Sequence, residues 1–193
     1  MSLYDNFISY VNKESLVSEG DIILLAVSGG PDSLALFDLF CRAREEMGVE
    51  LAVFHLNHCL RQEAEEEAGF VASLCNEAGI QAFVKEYDVG DFTRREGLSV
   101  EEGARKVRFR MMSRLVEEHL IDKVALGHNK NDLVETVFFN LIRGTGLKGL
   151  RGIDPRSRWH EMELIHPLLS FSRREIQDYC RSRNLNPRRD SSN

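Results

Sequence analysis

The sequence predicts a doubly wound α/β fold, a mostly parallel sheet with helices on both faces. Three observations carry that prediction. Short runs rich in Val, Ile, Leu and Phe alternate along the chain with longer segments of helical period. The short runs read as continuously apolar rather than alternating, as strands buried on both faces do. The polar residues of most chemical interest follow the strands, at the end of the sheet where such folds bind ligands.

The elements are read in order. The opening MSLYDNFISYVNKESL carries Asp5 and no cationic lead, so it reads as an amphipathic helix rather than a signal peptide. Strands are expected at Ile22–Ser28, Leu51–Asn57, Gln81–Tyr87 and Lys123–His128, and helices at Ser33–Met47, Gln62–Ala78, Ser99–His119 and Asp132–Ile142. The acids Glu63, Glu65, Glu66 and Glu67 suit the positive end of the second of these helices. Ser99 with Glu102, and Ser172 with Glu175, fit capping boxes that start helices. Four stretches then fall at the carboxyl ends of strands: SGGPDS, HLNHCLR, DVGDFTRREG and GHNKND.

Composition sets bounds. The 193 residues suit one domain, with its core at about 20–170 and a C-terminal helix and tail at 171–193. No apolar run approaches the roughly 20 residues of a membrane span. Cys41, Cys59, Cys75 and Cys180 are widely spaced, with no CxxC, and read as reduced thiols in a cytoplasmic protein. The net charge of −6 argues against a uniformly basic surface, but residues 143–189 hold 11 Lys/Arg against 5 Asp/Glu. That local excess fits either an ordinary polar surface or a face turned toward phosphates.

The turn SGGPDS carries the chemistry. Gly29 and Gly30 permit close backbone approach, and the helix that follows turns free N–H groups toward the loop, making an anion cradle. The string is neither GxGxxG nor GxxxxGK[ST], so neither the dinucleotide fingerprint nor the Walker loop applies. Asp32 in its middle would repel a polyphosphate unless a divalent cation lay between them. Magnesium is held in this way, by one or two carboxylates plus phosphate oxygens. SGGPDS therefore predicts a nucleotide polyphosphate with Mg²⁺ at Asp32.

Strand–SGGxDS–helix resembles the PP-loop of the ATP pyrophosphatases. Further stretches resemble one branch of that superfamily, the tRNA(Ile)-lysidine synthetases. HLNHCLR (His55–Arg61) is similar to its HxNHGLR, with Cys59 in place of glycine. SVEEGARKVRFR (Ser99–Arg110) is similar to its EEAARxxRY helix, with Gly103 for alanine and Phe109 for tyrosine. GHNKNDLVET (Gly127–Thr136) is similar to its HHxDDxxET, with Asn129 for histidine and Asn131 for aspartate, and runs on into RGTGLKGLRGI (Arg143–Ile153). The tail, IHPLLSFSRREI (Ile165–Ile176) to DSSN (Asp190–Asn193), resembles RPLL…SRxEI…DxSN, with His166 for arginine.

The resemblance implies an ATP-dependent ligase of Rossmann-like fold that adenylates the wobble cytidine of isoleucine tRNA with a CAU anticodon. It then joins free lysine to C2, releasing pyrophosphate and AMP. It implies ATP binding by Ser28, Gly29, Gly30, Pro31, Asp32, Ser33 and His55, with Mg²⁺ at Asp32. Asp32, Arg108, Asp132 and Glu135 are the expected catalytic residues, and Arg105, Arg108, His128, Asp132, Glu135 and Arg143 the expected contacts to lysine or tRNA. Arg105 and Arg108 are three apart and share a helix face; pairs of Glu101 with Arg105 and Glu102 with Lys106 are the plainer reading of that helix. Membrane partners are not expected; a homodimer is left open. The chain is expected to bind ATP and Mg²⁺ while modifying tRNA poorly without the further domains that the resemblance implies. Two alternatives stand beside this reading: a tRNA thiolase of the same superfamily, with Cys59 as its suspect thiol, and a non-catalytic ATP-binding domain.

Overall fold

The computed structural model describes residues 2–59, 63–144 and 151–187. Its elements are α1 (Leu3–Lys13), β1 (Ile22–Ala26), α2 (Pro31–Met47), β2 (Glu50–Asn57), α3 (Glu63–Ala78), β3 (Gln81–Glu86), α4 (Val89–Glu96), α5 (Val100–His119), β4 (Lys123–Ala125), α6 (Lys130–Ile142), β5 (Arg156–Trp159), β6 (Met162–Ile165) and α7 (Arg173–Ser182). Arg61, the stretch 145–150 of the glycine-rich continuation and the DSSN tail lie outside the described residues.

Six strands form one sheet in the order β3-β2-β1-β4-β6-β5. All neighbours are parallel except β5 and β6, which pair antiparallel. Side chains alternate across the pleat, so neighbouring residues of β1 serve different cores. Ile23 and Leu25 join Phe7, Phe40, Val71 and Ile176 under α1, α2, α3 and α7. Leu24 joins Phe54, Phe92, Phe109 and Met112 under α4 and α5. The expected doubly wound sheet is thus present.

Several local expectations change. DVGDFTRREG was read only as a stretch following the third strand, with no helix assigned, but Asp88 accepts from the Asp91 N–H and starts the short helix α4, which buries Val89, Phe92 and Thr93. The β5–β6 hairpin was not anticipated. Strand β4 ends at Ala125 rather than His128, and α2 begins at Pro31, whose fixed φ suits a first helical position. In α5, Glu102 folds back onto Ser99 as the expected capping box, while Lys106 pairs with Glu96 at 3.4 Å.

Candidate active site

Chain connections diverge at β1 and β4. The chain leaves β1 toward β2 and β3, and leaves β4 toward β6 and β5, so the crevice for a ligand opens at the carboxyl ends of these two strands. The loops meeting there are residues 27–33 and 127–132. They touch at their base: a Cβ built on Gly127 would lie 3.4 Å from the Asp32 carbonyl carbon and from the Ser33 nitrogen.

On the β1 side, Ser33 ties the turn together. Its Oγ accepts from the backbone N–H groups of Ser28 (3.1 Å) and Gly29 (3.2 Å) and donates to the Gly30 carbonyl (3.0 Å). Gly29 sits at φ +94°, in the left-handed region that glycine occupies without strain. Gly30 is the N-cap of α2 and offers no side chain to it, so the first turn keeps its amide donors available for an anion. The β1 side is an uncapped helix start behind a tight loop.

A cavity of about 210 Å³ lies against that start. Ser28, Asp32 and Ser33 line one wall, Phe54, Leu56 and His58 of the β2 side another, and Arg108, Gly127 and His128 close it. Burial pushes the Asp32 carboxyl above the ordinary carboxylate range, while a hydrogen bond from Asn129 Nδ2 (3.0 Å) pulls it back. Burial, with Arg105 nearby, lowers the Arg108 guanidinium, whose Nε is buried without a protein partner. His128 is pushed down to about 4 by burial, then by His166, Arg108 and Arg105. The His166 ring lies 5.0 Å from it, is lowered by burial too, and faces the Asp154 carbonyl through Nδ1 at 2.8 Å. Both imidazoles are therefore neutral at pH 7, and Arg108 brings the positive charge to this wall.

On the β4 side, Asn129 caps α6. Its Oδ1 accepts from Asn131 N (2.8 Å) and Asp132 N (3.2 Å), and the Asp132 carboxylate reaches back to the Asn129 N–H at 2.8 Å. Arg173 of α7 approaches Asp132 at 3.5 Å and Glu135 at 3.9 Å, and its own N–H donates to Asn131 Oδ1 at 3.0 Å. The two acids thus share one guanidinium at the crevice edge, partly open to solvent.

The structure sets Ser28, Asp32, Ser33, Arg108 and His128 around the cavity, with Gly29, Gly30 and Pro31 in the turn between Ser28 and Asp32, and Asp132 and Glu135 on the adjoining helix start. It does not bring His55, Arg105 or Arg143 there. His55 lies on the opposite face of β2 from Phe54 and Leu56, buried, with Nδ1 at 2.8 Å from the Val27 carbonyl, so it braces the end of β1. Arg105 is exposed, its guanidinium 5.0 Å over the Phe109 ring. Arg143 is the C-cap of α6, about 20 Å along the axis from the helix start. Asn129 and Arg173 were missed. For Asn129 the signal was an Asn followed three residues later by Asp at a helix start; for Arg173 no local signal existed.

The departures from the expected motifs have local reasons. Cys59 sits at φ +52°, in the left-handed region that favours glycine, with its N–H bonded to Asn57 Oδ1 at 2.9 Å. Gly103 has no room for a side chain, since a Cβ there would meet Thr93 Cγ2 at 2.1 Å.

A sequence profile for the family described as PP-loop domain matches residues 4–193. The chain belongs to the PP-loop domain family. This PP-loop chain is 43% identical over 192 residues to the tRNA(Ile)-lysidine synthase of Clostridioides difficile (strain 630), covering 99% of the chain and 41% of that protein. It is 40% identical to the tRNA(Ile)-lysidine synthase of Geobacillus kaustophilus (strain HTA426), covering 99% and 41%. The chain therefore spans about two fifths of the length of these curated relatives. A U34-tRNA thiolase from Methanococcus maripaludis shares its fold with TM-score 0.74 at 18% identity, over 96% of this chain and 66% of that one. An NH3-dependent NAD synthetase from Campylobacter jejuni does so with TM-score 0.62 at 16% identity, over 95% and 72%. Among the described residues no helix is long and apolar enough to cross a membrane.

Proposed function

We propose that this chain is the catalytic PP-loop domain of a tRNA(Ile)-lysidine synthase, acting on ATP, free lysine and an isoleucine tRNA with a CAU anticodon. The observation that carries the reading is the shared crevice: an uncapped helix start, a carboxylate and a half-buried arginine line one cavity, with an acid pair at its edge. The names of the curated relatives support the same assignment. In the first step the wobble cytidine O2 attacks the α-phosphorus and pyrophosphate leaves. In the second, the lysine ε-amine attacks C2, the C2–O2 bond breaks, AMP leaves with that oxygen, and the amine gives up a proton.

Each residue has a defined part. Ser28, Gly29, Gly30 and Ser33, with Pro31 setting the first helical φ, form the pyrophosphate cradle at the start of α2. The fit of a divalent cation rests on the donor set, a half-buried carboxylate facing an anion cradle; Asp32 would hold Mg²⁺, which when bound neutralises phosphate charge. His55 braces the loop from behind. Arg108 offsets charge growing on the α-phosphate or O2. Freeing the lone pair of a lysine ammonium at pH 7 costs roughly 4–5 kcal/mol. Asp132 and Glu135, released from Arg173, take the ammonium in its place and accept its proton. His128 offers a neutral hydrogen-bonding ring, and Arg105 and Arg143 extend the contact along tRNA. The setting is cytoplasmic, and a homodimer is compatible with the reading.

Sulfur transfer fits less well. Burial pushes the thiols of Cys41, Cys75 and Cys180 up to about 12, 11 and 11, which keeps them protonated; Cys59 is exposed on its own loop.

The test is α-labelled ATP with Mg²⁺, lysine and the CAU tRNA, scoring AMP against ADP. AMP is expected with cytidine at the wobble position, slowly for this chain alone and faster when it is joined to the remaining length of its relatives. Asp32→Asn should lower the rate on the order of 10²–10³-fold. AMP formed equally well with uridine at that position overturns the assignment.

A further inference from the structure

We infer that Asn129 is a positioning residue that orients Asp32 toward the nucleotide-bound cation while independently capping the helix that carries Asp132. The inference rests on the reading above only in taking Asp32 as the cation's carboxylate. Asn129 stands where the resembling motif has histidine.

The geometry divides one carboxamide between two tasks. Asn129 is 0% exposed, so every polar atom must find its partner inside the protein. The oxygen accepts from the N–H groups of Asn131 and Asp132, which fixes the amide orientation and turns Nδ2 toward Asp32. Nδ2 then donates to Asp32 Oδ1 at 3.0 Å, across the junction between the two halves of the sheet. The donor is itself immobile: Asn129 pairs with Leu168 as a parallel bridge, and Lys130 N donates to the Phe171 carbonyl at 2.8 Å. A half-buried carboxylate so gripped has one oxygen and one plane fixed before any cation arrives. Groups that hold a metal's carboxylate in this way typically matter 10–100-fold in metal affinity.

The two tasks come apart by substitution. Serine caps helices about as well as asparagine but is too short to reach Asp32. Asn129→Ser should therefore keep the thermal midpoint within a few degrees while weakening ATP binding about tenfold in Mg²⁺ by calorimetry, with no change in EDTA. The KM for lysine should stay the same, since Asp132 remains on a capped helix. Asparagine to aspartate keeps the size and the cap but sets a carboxylate oxygen against Asp32. Asn129→Asp should lower the thermal midpoint in EDTA, and Mg²⁺ alone should restore it by more than it stabilises the parent chain.

Equal weakening of ATP binding with and without Mg²⁺ in Asn129→Ser would reduce the residue to a helix cap and overturn the inference. So would Asn129→Asp without added stabilisation by Mg²⁺. The binding and thermal measurements need neither tRNA nor lysine, so they remain readable if the lysidine assignment fails. Equal ATP affinity of the parent chain with and without Mg²⁺ removes Asp32 as the cation's carboxylate, and the inference with it.

Discussion

Helix α2 buries eight of its side chains and begins at Gly30 with no side-chain cap, whereas α6 buries none and begins at Asn129 with a complete capping box. Both start at the same crevice, a few residues beyond neighbouring parallel strands. The difference follows from what each helix start is for. An anion cradle works only if its amide donors stay free, so α2 forgoes a side-chain cap, at a cost of roughly a few tenths of a kcal/mol with glycine in that place, and is held by the core instead. A helix that presents acids gains from a filled N-terminus, and α6 needs little core contact to keep Asp132 in place.

Three measurements sharpen or break that contrast, beginning with the largest effect. Phe40 is fully buried in α2 and meets the Phe7 ring edge-on at 5.4 Å. Phe40→Ala should cost about 3–5 kcal/mol in urea unfolding. A loss under about 1 kcal/mol would mean that α2 is not anchored by its core face.

The second concerns pH. The His128 ring, just ahead of α6, is pushed down to about 4 from an unfolded value near 6.5. The unfolded chain therefore binds more protons between these values. Stability is fully present above about pH 6.5 and is lost as pH falls toward 4, by at most about 3 kcal/mol for this ring. His55 and His166, also lowered by burial, act in the same direction. His128→Gln should flatten the fall, read from unfolding midpoints across that window. An unchanged slope would show that the ring is wetter than its burial implies.

The smallest effect is the most discriminating. Phe138 in α6 is 60% exposed, so Phe138→Ala should change stability by less than about 0.5 kcal/mol. A loss above about 1.5 kcal/mol would mean that α6 packs against a surface in solution, and its contrast with α2 would fail.

Sequence made the central sheet legible because β1, β2 and β4 are buried on both faces and leave unbroken apolar runs. It made α5 and α7 legible through Ser99–Glu102 and Ser172–Glu175, whose reciprocal bonds are local. It failed at α4, where one narrow stripe of Val89, Phe92 and Thr93 is diluted by charge and by Gly90. It failed at β5, whose Arg156 and Arg158 sit on the open edge of the sheet and break any apolar run. In the site, the turn around Asp32 is short-range and was read directly. Arg173 reaches Asp132 and Glu135 from another helix, and the Asn129–Asp32 bond spans 97 positions; pairings at such separations leave no local pattern. His55 faces away from the cavity for a simpler reason: side chains alternate along a strand, and its neighbours Phe54 and Leu56 take the cavity face.

Gly127 adds a matter of mechanical tolerance. The end of the β4 side faces the backbone of Asp32 and Ser33 across a gap that a methyl group on Gly127 would fill at ordinary van der Waals distance, 3.4–3.5 Å. The two loops therefore meet with a small clearance, like a shaft in a bearing cut slightly wide. A methyl group there would take up that clearance without forcing the two sides of the crevice apart.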